Sequence, residues 1–390
     1  MSPLIRVLKV LFVIPHNPIW IGSEKTSILN HPALFRKLLL FRDSFDKIIV
    51  FRGYYDKYIS KKIKIEHYKN GYFLDKVIDV AIPYSNILFY SFRIIVITLS
   101  LLISIVLFFN KRIKIVFLFF DHTHIFTLVL RLFVKLFNIP IISFYVNTPI
   151  NVKEYFCYLF SKLCDSFSLV NHPLISLRLR LKKFLVIPNI PDQEFFQDVD
   201  IRNRDKKTII VVSRLTPEKR VELAIPVMNK LGKIFPETKL FVIGDGPLRK
   251  YLEKLAFKYN LLNKNIFFLG HRHLHEVLSI MKKAGFLLHF SRHEYFPNVI
   301  VEAMACNLPV ITFAVPAYCW ILGEAASIPL YPQNLEDIVK SIIYLSNDDK
   351  MYYNKVLYQK RRLQYIIDLY NKQIYLLKNY ISKLINKGYV

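Results

Sequence analysis

Short, almost unbroken apolar runs alternate with segments of helical period along this chain, and the alternation starts twice. Val10-Leu-Phe-Val-Ile-Pro15, closed by His16-Asn17-Pro18, has no polar residue for a solvent face. Such a run reads as a strand buried on both sides. Residues 48–51, 113–120, 140–146, 166–170 and 184–188 continue the series, with helical patterns over 125–137 and 153–163. Strands buried on both faces and separated by helices require a parallel sheet covered on each side.

A polar, non-periodic stretch, 192–207, reads as a linker. The alternation then restarts with strands at 208–212, 239–243, 266–269, 285–290 and 309–313. Helices are expected at 218–231, 248–259, 274–283 and 297–306. The expected fold is α/β: two doubly wound Rossmann-like domains facing a central cleft, residues 1–195 and 205–350. A helical segment, 351–390, crosses back onto the first domain. Doubly wound sheets bind ligands at the carboxyl ends of their strands.

Charge narrows the partners. Lys and Arg number 55 against 29 acids, a net +26 shared almost evenly between the two halves, so a basic tail is not the source. A cationic surface of this size calls for an anionic partner: phosphorylated substrate, anionic lipid or nucleic acid. Hydrophobic residues at 53% exclude a disordered chain, and ten glycines exclude a collagen-like or Gly-rich one. Cys157, Cys164, Cys306 and Cys319 are too scattered for a disulfide scaffold or a zinc site, which fits a reducing compartment. No secretory leader is read before the first strand. The sixteen uncharged residues 94–109 would span ~24 Å as a helix, short of a ~30 Å hydrocarbon core. A helix dipping into a membrane interface and a buried core helix stand level here, ahead of a true span. The C-terminal 351–390 is rich in Lys, Arg and Tyr, which suits either a helix packed across the domains or a face lying on a membrane.

The chemistry concentrates in the second half. Ser213-Arg-Leu-Thr-Pro-Glu-Lys-Arg220 follows a strand and opens a helix, placing Arg214 and Lys219 beside unpaired backbone N–H groups. Two fixed cations at a helix start suit a diphosphate. Gly244-Asp-Gly246 after the next strand permits a tight turn. Glu294 falls in the loop after a later strand, and Glu302 on the almost wholly apolar helix that follows. Each carboxylate can accept from two hydroxyls of a sugar or a ribose.

Taken in order, SRLTPEKR, FVIGDGPLRKYLEKLA, IFFLGH and HEYFPNVIVEAMACNLPVIT resemble glycosyltransferase family 4, retaining enzymes of the GT-B fold that use nucleotide-sugar donors. The resemblance is specific over about residues 207–313. It is looser at Asp121-His-Thr-His124 and at 186–192. It implies that Arg214 and Lys219 hold and stabilise the departing diphosphate, that Glu294 orients the transferred sugar, and that Glu302 grips the ribose. It further implies donor contacts from Gly22, Gly244, Gly246, Gly270, His271, Phe296, Pro297 and Asn298, with the 270–272 loop near the base. His293, His122 and Asn147 form a second rank. No metal or other cofactor is expected, since the two cations meet the leaving charge.

The sequence departs from the family pattern in four places. Gly22 stands alone in the first-domain loop, Asn147 lies where a histidine is common, Asn307 replaces a glycine, and 313–320 lacks a Gly-Gly pair. The reading is a retaining transferase acting on a lipid-linked or saccharide acceptor, at an anionic membrane surface on the cytosolic side, peripheral or monotopic, with no nucleic acid. A basic nucleic-acid-binding protein and a catalytically weakened family member are the alternatives.

Overall fold

The computed structural model describes residues 10–15, 47–55, 64–67, 77–84 and 113–119, most of 131–145, and 152–386 apart from 197–198, 293 and 324–333. The apolar run 94–109, Gly22, His122, Asn147 and His293 lie outside the described residues. The chain divides into two compact units, Met1–Ile187 with Asn371–Val390, and Pro188–Tyr370.

Eight described strands form the sheet of the first unit: β1 (Val10–Pro15), β2 (Lys47–Tyr55), β3 (Lys64–His67), β4 (Val77–Tyr84), β5 (Ile113–Phe119), β6 (Ile141–Tyr145), β7 (Phe167–Val170) and β8 (Phe184–Val186). Their order is β3-β4-β2-β1-β5-β6-β7-β8. Every pairing is parallel except β3 with β4. The strand order reverses direction between β1 and β5, whose last residues, Pro15 and Phe119, are register partners. Helices α1 (Val152–Cys164) and α2 (Pro173–Arg178) accompany β6–β8. His172 caps α2, its Nδ1 accepting from the Leu174 N–H at 3.1 Å. Buried Arg131 donates to Asp165 at 2.9 Å and to Ser143 at 3.0 Å, and the Tyr145 hydroxyl donates to the same carboxylate. Breaking one partner of such a buried pair would leave the other charge uncompensated.

The second unit carries β9 (Asp205–Val212), β10 (Lys239–Ile243), β11 (Ile266–Gly270), β12 (Ala284–His289) and β13 (Val310–Thr312), all parallel, ordered β11-β10-β9-β12-β13. Between them run α3 (Ala224–Ile234), α4 (Arg249–Lys258), α5 (Leu274–Lys283) and α6 (Asn298–Ala305). After them come α7 (Pro316–Leu322), α8 (Leu335–Asn347) and α9 (Asp349–Asn386). One sheet face, presenting Ile209, Val211, Leu240, Val242, Phe286 and Leu288, is buried under apolar residues of α3, α4 and α8. The alternate residues Ile210 and Leu287 are buried outside that cluster, on the face covered by α5 and α6. Helix α9 contributes to both units, with the division falling after Tyr370. Within the first unit, Tyr380 near its end lies against Phe167, ring centres 4.4 Å apart.

The stretch 192–207 is not a linker but part of the second unit. It forms two 3-10 turns, Gln193–Phe195 and Ile201–Asn203, and then enters β9. Phe195 is buried, and its carbonyl accepts from the Cys306 thiol. Arg204, also buried, donates to the carbonyls of Met281 (2.8 Å), Ala284 (2.6 Å) and Cys306. Isolated anchors in a polar stretch leave no period to read. Asn307, where the family pattern has glycine, takes φ 55° just past α6. Asn tolerates the left-handed region better than most residues, so the helix stop survives the exchange.

Candidate active site

In the second sheet the strand order reverses between β9 and β12, and the crevice for a ligand opens there. Both ends of that crevice are built by loops that hold each other. The Gly244–Gly246 turn lies directly on the loop leaving β9. Ser213 N–H donates to the Ile243 carbonyl at 3.0 Å, and Leu215 N–H to the Asp245 carbonyl at 2.9 Å. A Cβ on Gly244 would sit 1.9 Å from the Ser213 oxygen, and one on Gly246 would sit 2.5 Å from that of Leu215. The two glycines therefore act first by letting two backbones touch, which fixes Ser213, Arg214 and Leu215.

The helix expected from 218 begins later. Pro217–Lys219 and Val221–Leu223 are 3-10 turns, separated by Arg220 at φ 53°, and α3 starts at Ala224. Lys219 thus projects from a tight turn, not from an α-helix N-terminus. The cause is a backbone tie across the crevice. The Glu218 carbonyl accepts from Arg292 N–H at 3.0 Å and from the Ser291 hydroxyl at 3.4 Å. That tie draws the β9 loop to the β12 loop.

At the join, Lys219 Nζ donates to Glu294 Oε2 at 2.7 Å, with the lysine side chain 12% exposed and the carboxylate 29%. Arg214 is brought to the same loop but not to this pair. Its guanidinium is 73% exposed and donates to Glu218 at 3.2 Å. Glu218 also accepts from the Thr216 hydroxyl at 2.6 Å. Partial burial would raise its carboxyl pKa, but that hydrogen bond, its own backbone N–H and the charges of Arg214 and Lys219 outweigh burial and lower it.

His289, the last residue of β12, stands behind the pair. It is buried, with Nε2 3.6 Å from Glu294 Oε2 and no hydrogen-bond partner. Burial lowers its pKa to about 4, with Lys219 adding to the shift and Glu294 opposing it, so the imidazole is neutral. The Tyr318 ring meets it edge-on at 5.3 Å, and the Tyr318 hydroxyl donates to the Ser291 carbonyl at 2.8 Å. Burial raises the Tyr318 pKa.

Helix α6 starts beside Glu294. Its N-cap, Pro297, supplies no side-chain cap, and its first turn carries no acid. The Ile300 N–H of that turn closes onto the Pro297 carbonyl at 3.2 Å, while the N–H groups of Asn298 and Val299 take no side-chain cap from Pro297. Phe296 and Pro297 are buried, Phe296 against Trp320 at 6.1 Å, so only backbone is offered there. Asn298 is exposed and accepts from Asn189 at 2.8 Å. Glu302, half-buried, sits four residues on, along the same helix face as Asn298. Gly270 ends β11 at φ 72°, with exposed His271 next to it. The chain's Asp-x-Asp triplet, Asp198-Val199-Asp200, does not offer Asp200 to a cation. That carboxylate caps a 3-10 turn and holds Arg202 at 3.1 Å. Among the described residues no group of three or more His, Cys, Asp or Glu is placed to hold a metal ion.

Sequence reasoning passed over Glu218, Ser291, His289 and Tyr318. For Glu218 the Thr-Pro-Glu sequence was a usable sign of a turn starting at Pro217, whose Thr216 hydroxyl bonds the Glu218 carboxylate and does not cap the backbone. For His289 the sign was a lone titratable residue inside the run AGFLLHF.

Two doubly wound units followed by a long helix shared between them define a GT-B protein. Solved structures of that fold align along nearly the whole chain. Sucrose-phosphate synthase from Thermosynechococcus elongatus aligns with a TM-score of 0.70 at 16% identity, over 96% of this chain and 100% of that one. HepE from Anabaena, in complex with UDP, aligns with a TM-score of 0.68 at 14% identity, over 95% and 100%. Residues 192–362 match the family glycosyl transferases group 1, and this part of the chain is a domain of that family. The gpi3 subunit of phosphatidylinositol N-acetylglucosaminyltransferase from Schizosaccharomyces pombe is 31% identical over 184 residues, 46% of this chain and 40% of that protein. The chain thus spans about 40% of the length of the curated relatives it matches.

Proposed function

We propose that the protein is a retaining glycosyltransferase that moves a sugar from a nucleoside-diphosphate donor to a lipid-linked or saccharide acceptor. The observation that carries this reading is the Lys219–Glu294 pair at 2.7 Å, set at the switch point of a parallel sheet. A cation for a departing phosphate and a carboxylate for sugar hydroxyls stand side by side there. The reaction breaks the bond between the anomeric carbon and the phosphate oxygen and forms one to the acceptor oxygen on the same face. The diphosphate keeps the electron pair, and one of its oxygens takes the acceptor proton. Lys219, with Arg214 closing from the exposed side, stabilises that charge as it develops. The uncapped start of α6 adds backbone N–H groups. Glu294 accepts from the sugar and Glu302 from the ribose.

UDP-sugars are the donors to test first, because HepE of the same fold is described in complex with UDP. A lipid acceptor at an anionic membrane is supported by three things. The net charge is +26. Along α9, Tyr353, Tyr365 and Tyr375 are exposed among Lys360, Arg361, Lys372 and Lys378. Several of the matched relatives, those of Schizosaccharomyces pombe and Homo sapiens among them, are named for phosphatidylinositol. Among the described residues no helix is long and apolar enough to cross a membrane. The acceptor side is assigned to the first unit and to the cytosolic membrane face.

The test is a thermal-shift panel of UDP- and GDP-sugars. A ligand at a hundred times its Kd stabilises the folded state by about 2.7 kcal/mol. A shift with one nucleotide class, lost in Lys219→Ala, supports the reading. No shift with any nucleotide sugar, alongside salt-sensitive RNA binding, would replace it with a nucleic-acid role.

A further inference from the structure

The buried imidazole of His289 is not used by the reaction as written above, yet it faces the centre of the site. It ends β12, and its register partner on β13 is Thr312. Thr312 is also buried, and its hydroxyl has no partner. The neighbours Leu288 and Phe290 point into the apolar cluster on the other sheet face. His289 therefore points to the face on which Tyr318 and Glu294 meet it. Buried polar atoms without partners are uncommon and call for an explanation. Here Nε2 lies 3.6 Å from a carboxylate oxygen that Lys219 already holds at 2.7 Å.

We infer that His289 is a positioning residue for the donor sugar: its Nε2–H and Lys219 together hold Oε2 of Glu294, leaving Oε1 to accept from the sugar. The inference rests on the reading that Glu294 receives the sugar. A neutral imidazole carries one N–H. With the proton on Nδ1, the Nε2 lone pair would face the lone pairs of Oε2, a repulsion in a dry site. With the proton on Nε2, the contact is a donor aimed at an anion, a few tenths of an ångström beyond hydrogen-bond length. A small rotation of the carboxylate closes it. Tyr318 limits the imidazole to this orientation, since its ring is set against His289 and its hydroxyl is anchored on the Ser291 carbonyl. Both contacts on Glu294 fall on the same oxygen, so the carboxylate is oriented and not merely neutralised.

The test uses two variants and two ligands. His289→Gln keeps an N–H near the Nε2 position, while His289→Met fills similar space without one. UDP and UDP-sugars are titrated against both and against wild type. His289→Met is expected to weaken UDP-sugar binding about tenfold while leaving UDP within twofold, and His289→Gln is expected to restore most of the loss. Equal weakening of UDP and UDP-sugar, or no difference between Met and Gln, overturns the inference in favour of a packing role. A second measurement, histidine ¹⁵N shifts in the ligand-free protein, is independent of any donor. The Nε2–H tautomer is expected, with a resonance that moves in Glu294→Gln, and an Nδ1–H tautomer overturns the contact. A wild-type protein that binds no nucleotide sugar removes the glycosyltransferase reading and the sugar half of this inference, while the tautomer still decides the contact with Glu294.

Discussion

Lys219 and Glu294 are 75 residues apart in the chain and meet at 2.7 Å because one carbonyl, that of Glu218, is shared by the two N–H and O–H donors that begin the β12 loop. The pair is thus a product of backbone hydrogen bonding across a parallel sheet, and under the proposed function its two halves answer to different parts of one donor molecule. A lysine and a glutamate on the surface would gain little from such a contact. Here the lysine is largely covered, so the geometry is held without ligand.

Lys219→Ala is expected to lose about 2–4 kcal/mol of transition-state stabilisation, seen as a fall in kcat/KM with little change in unfolding midpoint. Arg214→Ala is expected to lose a comparable amount although its guanidinium is mostly exposed in the free protein. Turnover near wild type in both variants would remove them from the reaction.

Gly246→Ala and Gly244→Ala push a methyl into the backbone of Leu215 and Ser213. Each is expected to destabilise by about 2 kcal/mol or more and to weaken donor binding, because Arg214 lies between the two contact points. Gly232 offers the contrast. Nothing lies within 4 Å of a Cβ there, and it sits in α3, so Gly232→Ala should stabilise by about 0.5–1 kcal/mol. Urea unfolding of the three variants distinguishes close backbone approach from ordinary glycine flexibility.

Acid should destabilise the second unit through His289. The imidazole titrates near 6.5 in the unfolded chain and at about 4 when folded, so between those values the unfolded state binds the extra proton. Stability is therefore full above about pH 6.5 and falls as the pH drops toward 4, by on the order of 3 kcal/mol. In His289→Gln that slope between pH 6.5 and 4 should flatten. An unchanged slope would mean the imidazole is solvated.

The strands of the second unit were legible in the sequence almost residue for residue, since 239–243 and 266–269 are apolar runs with clear ends. In the first unit β3 and β4 were not. Lys64, Glu66 and Asp79 interrupt the apolar pattern, and the hairpin-like β3–β4 pairing has no short turn to announce it. Glu294 and Lys219 could be singled out as candidate site residues because charged groups stood at strand ends. Their direct pairing was not, because it depends on Glu218 folding a 3-10 turn where the sequence reads as a helix. Asn307 looked like a loss of family pattern, and its φ of 55° shows that the backbone requirement is kept.

Arg204 should prove structural and not catalytic. Its guanidinium satisfies three carbonyls at the ends of α5 and α6 and the start of β12. Arg204→Met leaves those oxygens buried without donors and should cost about 3 kcal/mol or more in urea unfolding. Donor affinity measured on the folded fraction should stay close to wild type.

The most direct test of the central claim is titration of UDP and a UDP-sugar against wild type, Lys219→Ala and Glu294→Ala. Wild type should bind both, Lys219→Ala should weaken both, and Glu294→Ala should keep UDP while losing the added affinity of the sugar. Nucleotide binding that is indifferent to Lys219, or sugar affinity that survives the loss of Glu294, would contradict the assignment of this crevice.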